Sequence, residues 1–63
     1  MKSIVLQSPD GKFFRRIDPD GSFYKKYLGM PWEKHDPDQI SETKLPKYLE
    51  IMTKKLKWKK TIY

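Results

Sequence analysis

Ser8-Pro9-Asp10-Gly11-Lys12-Phe13-Phe14-Arg15-Arg16-Ile17 runs directly into Asp18-Pro19-Asp20-Gly21-Ser22-Phe23-Tyr24-Lys25-Lys26-Tyr27. The two stretches align position by position. Each has Pro-Asp-Gly, then two aromatic rings, then two basic residues. Proline presets φ for a type I turn, aspartate suits the next position, and glycine takes the left-handed conformation that closes a three-residue hairpin loop. Each copy therefore predicts a turn followed by a strand. With Ile4-Val5-Leu6 ahead of them, the copies predict a three-stranded antiparallel meander, with strands near 2–7, 12–17 and 22–28. The period is too short for solenoid or propeller repeats.

If each loop is Pro-Asp-Gly, Ser8 faces Lys12 and Asp18 faces Ser22. Ile17 then pairs with Phe23, and Phe13 with Tyr27. Strand alternation puts Val5, Phe13, Ile17, Phe23 and Tyr27 on one face with Arg15 and Lys25. The other face carries Ile4, Leu6, Phe14, Tyr24 and Leu28 with Arg16 and Lys26. A slip of one residue would exchange the sets. The first face is the one expected to meet a helix.

That helix is predicted over 45–60. Leu45, Leu49, Met52 and Leu56 form one apolar stripe. Tyr48 borders it, and Ile51, Trp58 and Ile62 widen it. Ser41 or Thr43 can cap the start, and Pro46 suits the first turn, where no amide donor is needed. Residues 29–44 form a connector. Within it, 35–40 fits either one helical turn capped by Asp36 or a short strand. The expected fold class is α+β: a meander packed by one C-terminal helix.

A chain of 63 residues permits a single domain, 1–63, with one small core. It has no cysteine, so disulfides cannot reinforce that core, and its one histidine makes a structural zinc site unlike the usual tetrahedral sets. Nine aromatic residues offer tight packing instead, with a homodimer as the other route to burial. The N-terminal apolar run is too short for a secretory signal, and no stretch approaches a membrane span, so an intracellular, cytoplasmic protein is expected. The net charge of +6 is uneven: residues 1–29 and 46–63 each hold six basic groups, whereas 30–45 hold four acidic and two basic. Such a balance points to nucleic acid or an acidic protein surface. Many lysines with no asparagine fit a thermophile or an A+T-rich, viral genome equally well.

Four groupings are candidates for chemistry. Phe14, Arg16, Tyr24 and Lys26 share one sheet face, where cations neutralise phosphates and rings stack on bases. The plainer account is cross-strand packing of cation stems on rings. The basic run from Lys54 to Lys60 offers phosphate contacts or, more simply, a solvated helix end. Met30-Pro31-Trp32 offers a minor-groove wedge or a cap on the core. The cluster Glu33, Lys34, His35, Asp36 and Asp38 lacks the convergence a metal or proton-transfer site needs. Asp18-Pro19-Asp20-Gly21-Ser22 lacks the further acidic ligands of a calcium loop. Catalytic-serine, phosphate-loop and dinucleotide motifs do not occur. No catalytic residue, metal or cofactor is expected.

The run from Ile40 to Met52 resembles the C-terminal segment of the small basic chromatin proteins of thermophilic crenarchaea. Ser41, Glu42, Pro46, Lys47, Leu49 and Met52 match that family's spacing. The resemblance implies a small SH3-like barrel closed by the helix, binding DNA without sequence preference through the minor groove. It covers about a fifth of the chain and carries over no DNA-contacting residues, because the duplicated unit has no counterpart in the family pattern.

The expectation is a non-catalytic basic protein that contacts the backbone of duplex DNA. Phe14, Arg15, Arg16, Tyr24, Lys25 and Lys26 would act from the sheet, and Lys54, Lys57 and Lys60 from the helix. The alternative is a protein-interaction module, such as a virus directs at a partner, docking through an aromatic sheet face.

Overall fold

Pairing of backbone groups between Ile4 and Ile62 joins both ends of the chain into one antiparallel sheet. The computed structural model describes residues 2–63; Met1 and the side chains of Asp36 and Pro37 lie outside the description. The strands are β1 (Ile4–Gln7), β2 (Phe13–Ile17), β3 (Ser22–Tyr27), β4 (Glu33–Gln39) and β5 (Lys59–Ile62). Between β4 and β5, helix α1 (Leu45–Glu50) runs into a π-helical turn over Ile51–Lys55. The sheet is open, in the order β4-β3-β2-β1-β5. The α+β class and the meander are as expected, with a strand added at each edge.

The second hairpin has the expected register: Ile17 opposes Phe23 and Phe13 opposes Tyr27. Asp18 N–H donates to the Ser22 carbonyl, and Gly21 N–H to the Asp18 carbonyl, both at 2.9 Å. Gly21 has φ +90°, and a Cβ there would lie 3.0 Å from the Ile40 carbonyl oxygen. Glycine is needed for the turn and for the close passage of the next segment.

The first hairpin does not follow its twin. Ser8 opposes Phe13, not Lys12, so the loop holds one more residue. Consequently Leu6 opposes Arg15, and Val5 opposes Arg16. The expected faces of β1 are therefore exchanged: Ile4 and Leu6 lie on the inner face, and Val5 lies outside. The cause is the residue that opens the loop. Ser8 Oγ accepts from Phe13 N–H at 2.9 Å and donates to the Asp10 carboxylate, which also accepts from Lys12 N–H. That network satisfies the extra backbone. In the second copy, Asp18 Oδ1 instead accepts from Ser3 Oγ at 2.9 Å and lies 3.0 Å from Arg16 Nε.

The slip puts the most deeply apolar group of β1 into the core. Leu6, Ile17, Phe23 and Met52 are buried, Leu6 completely. Phe23 is held between His35, stacked at 4.5 Å, and Tyr48, edge-on at 5.1 Å. The face of Ile17 and Phe23 thus meets the helix, as expected.

Of the two alternatives for 35–40, the strand holds: the connector contains β4, with Tyr24 opposite Lys34 and Lys25 opposite Glu33. Strand pairing gives the unpaired backbone edge of β3 its partners, which a helical turn over 35–40 could not do. Asp36, the cap considered for that turn, has its side chain outside the described ones. The C-terminal helix ends near Lys55 rather than at residue 60. Lys57 takes a left-handed φ of 64°, and Trp58 N–H caps the Met52 carbonyl at 2.8 Å. The chain then reverses, and Lys59–Ile62 pair with β1. At the helix start, Lys44 is the cap residue, and the Ser41 carbonyl accepts from Lys44 and Leu45 N–H. Charged residues at both edges, Glu33 and Lys34 on β4 and Lys59 and Lys60 on β5, discourage edge-to-edge pairing.

Candidate functional site

The outer sheet face, away from the helix, follows from the repeat. Each copy reads ring-ring-cation-cation, and antiparallel pairing runs one copy against the other. Phe14 therefore opposes Lys26, and Arg16 opposes Tyr24. Rings and cations alternate along and across the strands like the squares of a checkerboard. On the inner face the same operation sets ring against ring and cation against cation: Phe13 opposes Tyr27, and Arg15 opposes Lys25.

The contacts bear out the alternation. The Arg16 guanidinium lies 4.2 Å from the Tyr24 ring centroid and 5.0 Å from that of Trp32. Lys26 Nζ lies 5.3 Å from Phe14 and 5.4 Å from Trp32. Lys34 Nζ lies 5.4 Å from Tyr24. Cations over ring faces are attracted by the ring quadrupole. Phe14, Tyr24 and Trp32 are half-buried beneath these cations. On β5, Lys59 and Thr61 extend the surface, opposite Gln7 and Val5. An open depression of about 430 Å³ has Val5 and Phe14 in its lining, with Arg16, Lys26, Trp32 and Tyr63 around it.

The residues expected to act together separate into two groups. Phe14, Arg16, Tyr24 and Lys26 share the outer face. Arg15 lies on the inner face, 5.3 Å from the Trp58 ring centroid, and Arg15 Nη1 donates to the Phe14 carbonyl at 3.1 Å. It also sits close to Tyr48, whose hydroxyl is pushed above its ordinary pKa by burial, with the nearby guanidinium opposing that rise. Lys25 is exposed on the inner face opposite Glu33. Lys54 lies in the π-helical turn, Lys57 in the reversal after it, and Lys60 on β5 opposite Leu6. None of these five belongs to the checkerboard.

Three members were missed from sequence. Sequence makes Trp32 a cap on the core, with a wedge as the alternative; its ring instead lies among the outer-face cations. Sequence groups Lys34 with an acidic cluster and puts Lys59 on the helix, whereas the structure sets both on the outer face. The signal for Trp32 and Lys34 was alternation: both share the parity of a strand from 32 onward. Among the described residues, no group of three or more His, Cys, Asp or Glu is arranged to hold a metal, and no helix is long and apolar enough to cross a membrane.

A second depression, of about 360 Å³, lies where the Asp18–Gly21 loop meets Ile40–Leu45. Its lining includes Asp18, Asp20 and Glu42 with only Lys2 opposite, the wrong sign for a phosphate. Comparisons with protein-family models, curated proteins and solved structures found no significant match. The fold and surface define a small α+β protein with one basic-aromatic sheet face.

Proposed function

We propose that the protein is a non-catalytic DNA-binding module that contacts the phosphate backbone through its outer sheet face, with little sequence specificity. The observation that carries this reading is the alternation of Arg16, Lys26 and Lys34 with Phe14, Tyr24 and Trp32. Phosphate contact releases counterions, so affinity falls with salt by a log-log slope of about −0.9 per phosphate neutralised on a duplex. Engagement of Arg16, Lys26, Lys34 and Lys59 gives a slope of about −3.6.

Fluorescence anisotropy with labelled random-sequence DNA across a salt series tests it. The double substitution Lys26→Gln and Lys34→Gln should weaken binding and flatten the duplex slope by about 2. Lys54→Gln with Lys57→Gln should change little, because those lysines lie off the face. Binding that is insensitive to salt would sink the proposal.

A second reading is a protein-interaction module. One observation favours it: Phe13, Tyr27, Leu28 and Met30 are 43–58% exposed around one end of the β2–β3 hairpin. Exposed apolar residues gathered together mark partner surfaces. Sedimentation across a concentration series checks for self-association. A dimer dispersed by Tyr27→Ser would support this reading.

A further inference from the structure

We infer that the preferred ligand of the outer face is an unpaired nucleic-acid strand rather than a duplex; the inference rests on the nucleic-acid reading above and narrows it. The argument concerns what the rings can do. Inside a duplex each base face is covered by its neighbours, so a flat protein surface reaches phosphates, sugars and groove edges. A ring contributes there by standing clear of the surface and wedging into a base step. Phe14, Tyr24 and Trp32 do not stand clear. They are half-buried and lie beneath Arg16, Lys26 and Lys34, with cation-to-centroid distances of 4.2–5.4 Å. Of the rings that do stand out, Phe13 and Tyr27 flank the other face, and Tyr63, 69% exposed, stands past the end of β5 at the rim of the outer depression, outside the ring-cation alternation.

An unpaired strand uses both halves of the checkerboard. Its phosphates draw Lys26 and Lys34 off the rings, and its bases take the ring faces those lysines leave, while Arg16 stays paired with Asp18 at 3.0 Å. The exchange replaces each lysine–ring contact with a lysine–phosphate contact and a base–ring stack. A planar guanidinium such as that of Arg16 also stacks on a base directly. The depression beside Trp32 and Tyr63, about 430 Å³ with Val5 and Phe14 in its lining, lets a base enter edge-on. Four inter-strand spacings of about 4.8 Å give a track roughly 19 Å wide, long enough for several nucleotides. Stacking is tolerant of base identity, because every base offers a π face.

Anisotropy with the 20-mers dT20 and rU20 and with a 20-base-pair mixed duplex, all at one salt concentration, tests this. Both single strands should bind at least about 10-fold tighter than the duplex; a gap between dT20 and rU20 would identify which sugar the site prefers. Trp32→Leu should weaken single-strand binding by about 5- to 100-fold, the range expected for loss of one base–aromatic stack. It should leave duplex binding within about 2-fold. Trp58→Phe, outside the site, isolates the Trp32 emission, and dT20 should quench it where the duplex does not. That readout holds even if Trp32→Leu fails to fold. Duplex binding equal to or tighter than single-strand binding, with unquenched Trp32, overturns this inference and leaves the DNA-binding reading intact. Failure to bind any of the three probes overturns both.

Discussion

Ser8 decides which way β1 faces. Its hydroxyl accepts from Phe13 N–H and donates to Asp10, and it is one of two buried serines. Ser8→Ala leaves a part-buried amide without its acceptor, a loss of about 1–2 kcal/mol. Urea denaturation checks it, and an unchanged midpoint would mean that water replaces the hydroxyl without cost. The neighbouring carboxylates respond to acid. Asp10 is held below the ordinary carboxylate range first by the Ser8 hydroxyl and then by Lys12 N–H. Asp20 is lowered chiefly by Ser22 N–H. A lowered folded pKa stabilises the fold above the unfolded value, near pH 3.9 for aspartate. That contribution disappears as pH falls through the lower folded values. Stability measured from pH 5 to 2 should therefore fall less steeply for Asp10→Asn with Asp20→Asn than for the parent. Superimposable curves would show that the two turns carry no such linkage.

At the scale of elements, the second hairpin was legible and the first was not, although their sequences are near-copies. Register followed from Pro19-Asp20-Gly21 because Asp18 spends its carboxylate on Ser3, and the loop closes through its backbone and the Asp20 carboxylate, which accepts from Ser22 N–H. Ser8 turns inward and lengthens its loop, a difference carried by one side chain. The C-terminal segment was misread for another reason. Leu45, Leu49, Met52 and Leu56 keep helical spacing beyond the point where the helix ends. Thr61 and Ile62 carry the β-branched preference for strands, but the edge of β1 that they satisfy is distant in sequence. Lys57 adopts φ 64° to make the reversal, a conformation that costs a non-glycine residue roughly 1–2 kcal/mol. Lys57→Gly should raise stability by about 0.5–1 kcal/mol, after the greater freedom of glycine in the unfolded chain. Thermal melting checks it, and a lower melting temperature would assign the Lys57 side chain a stabilising contact.

Across the whole molecule, four of the seven ring and cation positions of the candidate surface were legible in the sequence. Phe14, Arg16, Tyr24 and Lys26 came from alternation within the repeat, which needs only the register of one hairpin. Lys34 and Lys59 lie on strands added by pairing at the edges of β3 and β1, and Trp32 directly precedes one of them; long-range pairing leaves little local trace. Charge behaved similarly: Arg15 and Lys25 contribute to the net charge but lie on the face that the helix layer shares.

The pairing of the two copies also has a consequence for how this protein can change over time. Antiparallel packing brings position six of one copy beside position ten of the other. Phe23 and Ile17 lie in the core, whereas their counterparts Phe13 and Tyr27 are 43% and 46% exposed. Equivalent positions of the two copies therefore live under opposite rules. A library of substitutions should find Ile17 and Phe23 nearly fixed and Phe13 and Tyr27 permissive. The duplication, once made, left each copy free to drift where the other cannot.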